Sequence, residues 1–299
     1  MKRVIAGVSV GVIVIVLVPV LVWYFGFTCR WTRSFFSKVH CRCSRYSPPP
    51  DAPLSGKEDC NKIAEAFTKA VASTDPKRIG AGDYQPLMDL VKQQNFPCDK
   101  VLFWSKAKDL ADSYQGELLT LNKLLVGYIA DGLMWCRDKS SSEVKFGPYQ
   151  EKNGICPMGP TRVFWDVASK WFAKNACKKV PVLLNGSNKE SVAYNGSSVF
   201  ASVEVPNLSL AVTALHACVI HDSETRDSCS GSIQRLKSDL RRDIAFTCEH
   251  TDRKSFPACL NRGVSQCKSV LRDSGVIGLI VALLLSINLP DSGATLVGS

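Results

Sequence analysis

The chain has 299 residues, 45% of them hydrophobic, and a formal net charge of +10, so it can bury a full core as one large domain or two small ones. Six bases (Lys2, Arg3, Arg30, Arg33, Lys38 and Arg42) lie in residues 1–43 without an acid, leaving +4 for the remainder. The excess flanks an apolar segment, and no arginine-rich run or RNA-binding signature follows it, so a nucleic-acid partner is not expected.

Val4 to Phe27 is a 24-residue run without charge, long enough at ~1.5 Å per residue for a bilayer core of ~30 Å. A cleaved signal would have a shorter apolar region, ~7–15 residues, ending at a small-x-small site. Trp23 and Tyr24 sit at the interface level. A retained anchor is therefore expected. Bases on both sides leave its orientation undecided by charge. The thirteen cysteines decide it: all lie C-terminal to the anchor, dispersed from Cys29 to Cys267, with no Cys-x-x-Cys pair. The four histidines are not spaced as zinc ligands, so the set reads as disulfides in an oxidising compartment. Glycosylation sequons at Asn185, Asn195 and Asn207 agree. The expected layout is a plasma-membrane protein with residues 1–3 cytoplasmic, 4–27 spanning, and the rest outside. An odd cysteine count leaves a free thiol or an intermolecular bridge.

Residues 28–56 read as a basic juxtamembrane segment followed by a proline-rich stalk, "SRYSPPPDAPLSG". A helical pattern runs from Asp59 to about Ala72, and "DYQPLMDLVKQQ" starts another. Ser105 is the expected N-cap of "KAKDLADSYQ". Residues 117–135 place apolar stripes at helical spacing and predict a central helix, with Asp131 held against apolar surface. Residues 138–160 form a loop, and Thr161 caps a helix reaching Cys177. Thereafter "KVPVLLNG", "VFASVEV", "ACVIHD" and "IAFTCEH" read as strands, with "SIQRLKSDLRRD" an amphipathic helix. The expected fold is α/β and two-lobed, stapled by disulfides. It has a helical N-terminal lobe and a C-terminal lobe with a small, mainly parallel sheet flanked by helices. Residues 269–299 form a tail whose apolar run, Val276–Leu285, is too short to span comfortably.

Metalloprotease, dinucleotide-fold, P-loop and serine-hydrolase motifs are absent. What remains is a sparse set: Trp104, Asp131, Trp165 and Ser169 one helical turn apart, and Glu204. Singly, each has an ordinary reading. A helical tryptophan is usually core, and Asp131 can be a structural acid. In "SSVFASVEVPN" the alternation puts Glu204 on the Phe200/Ser202 face, where an acid ordinarily meets water.

Together, "LFWSKAKDLA", "TLNKLLVGYIADGLMWC", "VFWDVASKWFAKNAC", "LNGS" and "VFASVEVPNL" resemble the ADP-ribosyl cyclase/cyclic ADP-ribose hydrolase family of ectoenzymes, over residues 57–268. The resemblance implies a membrane-anchored enzyme that cleaves the nicotinamide–ribose bond of NAD, giving ADP-ribose and cyclic ADP-ribose. It implies Glu204 as the catalytic glutamate and Trp104 and Trp165 as the aromatic walls. Ser105, Lys106, Asn122, Asp131, Ser169 and Phe200 follow as substrate-binding positions. NAD is then the substrate and no cofactor or metal is implied. The chemistry agrees: nicotinamide leaves as a neutral molecule, and one carboxylate can stabilise or trap the oxocarbenium-like centre at C1′. A helix N-terminus at Ser105 would suit a phosphate.

The family also implies the disulfides Cys43–Cys60, Cys98–Cys177, Cys229–Cys248 and Cys259–Cys267. Cys136 and Cys156, each lacking its family partner, are expected to pair with one another. Cys29, Cys41 and Cys218 are left over, and the first two could bridge a homodimer. The chain departs from the pattern at Asn122-Lys123, where many members have Glu-Asp, at Val199, where a hydroxyl is usual, and at Lys106, where arginine is common. Lys123 is a candidate compensating cation. The rival reading is a cell-surface receptor or adhesion protein that keeps the fold with weakened catalysis. An extracellular glycan hydrolase would need a second acid beside Glu204.

Overall fold

The computed structural model describes residues 29, 32, 34–56, 58–72, 75–137, 144–148, 159–187, 192–222 and 227–264. The expected membrane segment 4–27, Cys156, Cys267 and the apolar tail lie outside them. Among the described residues, no helix is long and apolar enough to cross a membrane.

Helix α1 (Phe35–Ser44) is capped by Ser34, whose hydroxyl accepts from the Ser37 N–H at 3.0 Å. Asp59 caps α2 (Cys60–Ala70) through Lys62 N at 3.1 Å. Ile63, Ala64, Phe67 and Ala70 form its buried face at helical spacing. The chain between α1 and α2 is not a free stalk. Ala52 is fully buried, and its carbonyl accepts from Gln94 Nε2 at 2.6 Å. After α3 (Gln85–Val91) comes β1 (Phe103–Ser105). Ser105 therefore ends a strand and is not the expected cap: α4 (Lys108–Ser113) starts three residues later, behind Ala107. Parallel pairing of Trp104 with Leu183 holds this stretch extended, and Lys106 turns the chain at φ 57°.

The single helix expected over 117–135 is instead three pieces. A 3₁₀ turn (Leu121–Lys123) is followed by α5 (Leu125–Ala130) and then β2 (Leu133–Arg137), antiparallel to β3 (Val144–Pro148). Two glycines explain the break. A Cβ on Gly127 would lie 2.1 Å from the Leu121 carbonyl oxygen, so only glycine lets the turn fold back on α5. Gly132 adopts φ 65° and reverses the chain into β2. The indole of Trp135 then donates to the Tyr84 hydroxyl at 3.0 Å, inside an aromatic core with Phe35, Phe67 and Phe164.

Helix α6 (Gly159–Lys174) includes Thr161 within its first turns; the hydroxyl does not cap the helix but accepts from Trp135 N at 3.3 Å. Next come β4 (Lys178–Asn185), β5 (Val212–Ile220), α7 (Ile233–Asp239), β6 (Ala245–Thr251) and α8 (Phe256–Val264). Strand order is β1-β4-β5-β6, all parallel. Both faces of the central strands β4 and β5 are covered. Val182, Leu184, Ala217 and Val219 point into the main core, while Leu183, Cys218 and Ile220 join a second cluster with residues of α4 and α8.

"VFASVEV" is not a strand. Residues Phe200–Glu204 form a π-turn, closed by Val205 N donating to Phe200 O, and a 3₁₀ turn (Val205–Asn207) follows. Local polar groups override the alternating pattern. Asn195 Oδ1 accepts from Ser197 N at 2.9 Å and Ser198 Oγ from Ala201 N at 3.1 Å, while Pro206 suits the first turn of a helix.

The structure forms Cys43–Cys60, Cys98–Cys177 and Cys229–Cys248. Cys259 is bonded to Cys218, not to Cys267. Cys218 lies mid-strand facing α8, where Cys259 is buried at a Cα separation of 6.1 Å. Cys29 and Cys41 bond within the chain, which removes them as a dimer bridge. Cys136 is also disulfide-bonded.

Candidate active site

A cavity of about 590 Å³ opens where the C-terminal end of β1 meets α6 and the π-turn, the usual position for a site on a parallel sheet. It gathers every residue expected there: Trp104, Ser105 and Lys106 after β1, Asn122 from the 3₁₀ turn, Asp131 from the end of α5, Trp165 and Ser169 from α6, and Phe200 and Glu204 from the π-turn. Thr161, Trp165, Ser169 and Phe172 recur every three or four residues, so one stripe of α6 forms a wall.

Glu204 does not face bulk water, as a strand acid would. Its residue is 7% exposed. Burial pushes its carboxyl up to about 8, against a hydrogen bond from Ser169 that pulls it down. A carboxyl held near neutrality in an apolar cleft is a mark of an acid–base or charge-stabilising group. The π-turn makes this possible, since it aims Glu204 inward beside Phe200, whose ring is fully buried.

At another wall, the Asp131 carboxylate accepts from Lys108 Nζ at 3.1 Å and Asn122 Nδ2 at 3.5 Å. Lys106 is exposed at the rim, and its carbonyl accepts from Asn185 Nδ2 at 3.1 Å. A left-handed, non-glycine residue at a cavity wall is the kind of local strain that functional sites retain. Lys123 points elsewhere: its ammonium donates to Tyr114 O at 3.1 Å and is not a compensating cation in the cavity. Besides Lys106, two other cations line the cavity. Lys108 is one, and Arg162 is the second, donating to Asp166 at 2.6 Å, Ser197 O at 3.2 Å and Ser202 Oγ at 2.9 Å. Arg162 thus ties the Ser197–Ser202 stretch to α6. Sequence reasoning passed over both, although Arg162 lies three residues before Trp165 on the same helix. Val199 also lines the cavity, where a hydroxyl would otherwise stand.

Elsewhere, His216 Nε2 lies 3.5 Å from Cys259 Sγ, but Cys218 and Cys259 are bonded to each other and offer no thiolate to a metal.

A family model described as ADP-ribosyl cyclase matches residues 32–268. The ADP-ribosyl cyclase/cyclic ADP-ribose hydrolase 1 of Oryctolagus cuniculus is 46% identical over 241 residues, covering 77% of this chain and 79% of that protein. A solved structure of porcine CD38 with a covalent intermediate is 42% identical and superposes with a TM-score of 0.63, covering 74% of this chain and 97% of that one. The Aplysia cyclase with substrate NGD and product cGDPR is 28% identical, with a TM-score of 0.65 over 77% of this chain and 94% of that one.

Proposed function

The chain belongs to the ADP-ribosyl cyclase family, and we propose that it cleaves the nicotinamide–ribose bond of NAD in the cavity around Glu204, giving ADP-ribose and cyclic ADP-ribose. The observation that carries this is the buried, proton-retaining carboxyl of Glu204 in one cleft with Trp104 and Trp165.

The pyridinium ring of NAD is a cation, and its arrival beside Glu204 favours the carboxylate over the acid. Aromatic faces of Trp104 and Trp165 suit both that ring and the charge that develops as it leaves. The departing nicotinamide takes the bonding electrons and becomes neutral, so it requires no proton. The Glu204 carboxylate then stabilises the ribosyl cation or captures it at C1′. Water completes hydrolysis; attack by the adenine ring of the same molecule completes cyclisation. Ser169 holds Glu204, while Lys106, Ser105 and the π-turn backbone face the diphosphate. NAD is substrate rather than cofactor, and no step calls for a metal.

Residues 4–27 anchor the protein in the plasma membrane with the catalytic part outside, and Asn185, Asn195 and Asn207 carry glycans. The uncharged run and the disulfide-rich remainder support this. The test is release of nicotinamide by the full-length chain in detergent. Turnover that falls ~10²–10³-fold or more in Glu204→Gln is the expected result. Equal turnover in that variant would reject the role of Glu204, and no turnover in the unaltered chain would favour a binding protein with this fold.

A further inference from the structure

Resting on that reading of the cavity, we infer that Arg42, on the membrane-proximal helix α1, is a positioning residue that sets Asp131 from behind. Arg42 Nη1 donates to Ile129 O at 3.1 Å and to Asp131 O at 2.7 Å. These carbonyls close α5, whose last turn leaves acceptors without helical partners. Asp131 has φ −56° and ψ 130°, and Gly132 has φ 65°. Those are the angles of a type II turn, whose central peptide turns its carbonyl away from the chain reversal. Arg42 takes that carbonyl. The Asp131 side chain, meanwhile, enters the cavity wall and draws in Lys108 and Asn122. One residue is therefore gripped by α1 through its backbone and serves the cavity through its carboxylate.

The grip is a strong one by type. Burial lowers the Arg42 pKa while the Asp131 charge raises it, so a partly desolvated guanidinium serves neutral acceptors beside a carboxylate. Both bonds leave one nitrogen, Nη1, whose two N–H groups are fixed in the guanidinium plane, whereas the rotating ammonium of a lysine on a shorter stem holds neither direction. Position along the chain reinforces it. Arg42 lies between Cys41 and Cys43, which are bonded to Cys29 and Cys60, so both sides of the arginine are pinned. A second contact from the same segment runs parallel: the Tyr46 hydroxyl donates to Lys123 O at 2.8 Å, next to Asn122. No residue of α1 lines the cavity itself. The segment nearest the membrane thus fixes the two polar residues, Asn122 and Asp131, that face substrate from the 3₁₀ turn and the end of α5.

Arg42→Met and Arg42→Lys in the full-length chain test this by nicotinamide release. In Arg42→Met, kcat/KM should fall ~10–100-fold, as expected for a misplaced polar group, with Arg42→Lys between it and the unaltered chain. In an Asp131→Ala background the same Arg42→Met change should add less than ~2-fold, since coupled residues are non-additive. A merely structural role would give the same loss in both backgrounds, and that result would overturn the inference. Amide exchange over residues 121–135 should rise selectively in Arg42→Met, and unchanged exchange there would overturn it whatever the activity. If Arg42→Met fails to fold, Arg42→Lys carries both readouts. Absent turnover in the unaltered chain would count against the reading of the cavity alone, because the exchange measurement does not depend on it.

Discussion

Replacing Glu204 by glutamine should lower turnover ~10²–10³-fold or more and stabilise the protein, and the second effect has a defined pH dependence. Burial raises the Glu204 carboxyl from its ordinary 4.5 to about 8. Below pH 4.5 the acid is protonated folded and unfolded, so Glu204→Gln and the unaltered chain should be equally stable with respect to this group. Between 4.5 and about 8 the unfolded chain ionises while the folded one does not, and each pH unit favours unfolding by ~1.4 kcal/mol. Above pH 8 the difference levels off at roughly 3–5 kcal/mol, or on the order of 10 °C in the unfolding midpoint. Glutamine keeps the shape and removes the ionisation. The assay is thermal unfolding of both proteins at pH 4.5, 6, 7.5 and 9, alongside nicotinamide release. Activity of the unaltered chain should show kcat/KM rising with pH through about 8, because that ratio reports the free enzyme. In kcat the rise should come at lower pH, since the bound pyridinium favours the carboxylate. A midpoint difference that is constant across the pH series would refute the buried, proton-retaining Glu204 on which the mechanism rests.

The remaining predictions concern the frame of the site. Gly127→Ala places a Cβ against the Leu121 carbonyl, which is backbone and carries the turn bearing Asn122; it should cost ~1–3 kcal/mol in urea unfolding and raise KM. Cys218→Ala should cost ~2–4 kcal/mol, and peptide mapping of the unreduced chain should recover Cys218 linked to Cys259; a Cys259–Cys267 peptide would contradict the structure. The full-length chain should remain with membranes through alkaline carbonate extraction, and deletion of residues 1–27 should release it; release of the intact chain would refute the anchor.

Which parts of this fold the sequence discloses follows from how each part is held. Strands β4 and β5 contain continuous apolar runs because both of their faces are covered, and such runs need no further context, while the edge strand β6 alternates between exposed and half-buried positions over its first half. Residues 117–135 misled for the same reason in reverse. Their apolar stripes are real, since Leu121, Leu125 and Ile129 are all buried, but the period is broken at Gly127 and Gly132, where close approach and a left-handed turn are decided by neighbours. Ser105 looks like a cap before a helix. It is instead fixed by pairing with Leu184, some 80 positions away, which no local pattern announces. Cys259 has candidate partners at Cys218 and Cys267 in sequence, and only the facing of β5 and α8 brings Cys218 to it.

The site was legible for a different reason than the fold. The alternation puts Glu204 on a strand that the structure replaces with a π-turn, yet the inward direction holds, because it follows from the block resemblance and not from the alternation. The π-turn supplies the geometry the strand could not. It puts Phe200 and Glu204 on the inward side of a helical coil, leaves Ser202 outward where Arg162 takes it, and closes against the α6 stripe. An alternating strand would have aimed Ser202 and Glu204 the same way. Here they diverge, one to the clamp and one to the cavity. The same separation explains why Arg162 and Lys108 escaped notice. Each is an ordinary charged residue with an i,i+4 carboxylate partner on its own helix, Asp166 and Asp112, which reads as a solvated surface pair until the cavity is seen beside it. Glu204, by contrast, forms no ion pair among the described residues; burial raises its pKa and the Ser169 hydroxyl lowers it. Burial is what keeps its proton on at neutrality, and under the proposed function the pyridinium of the substrate is the cation that draws the carboxylate out.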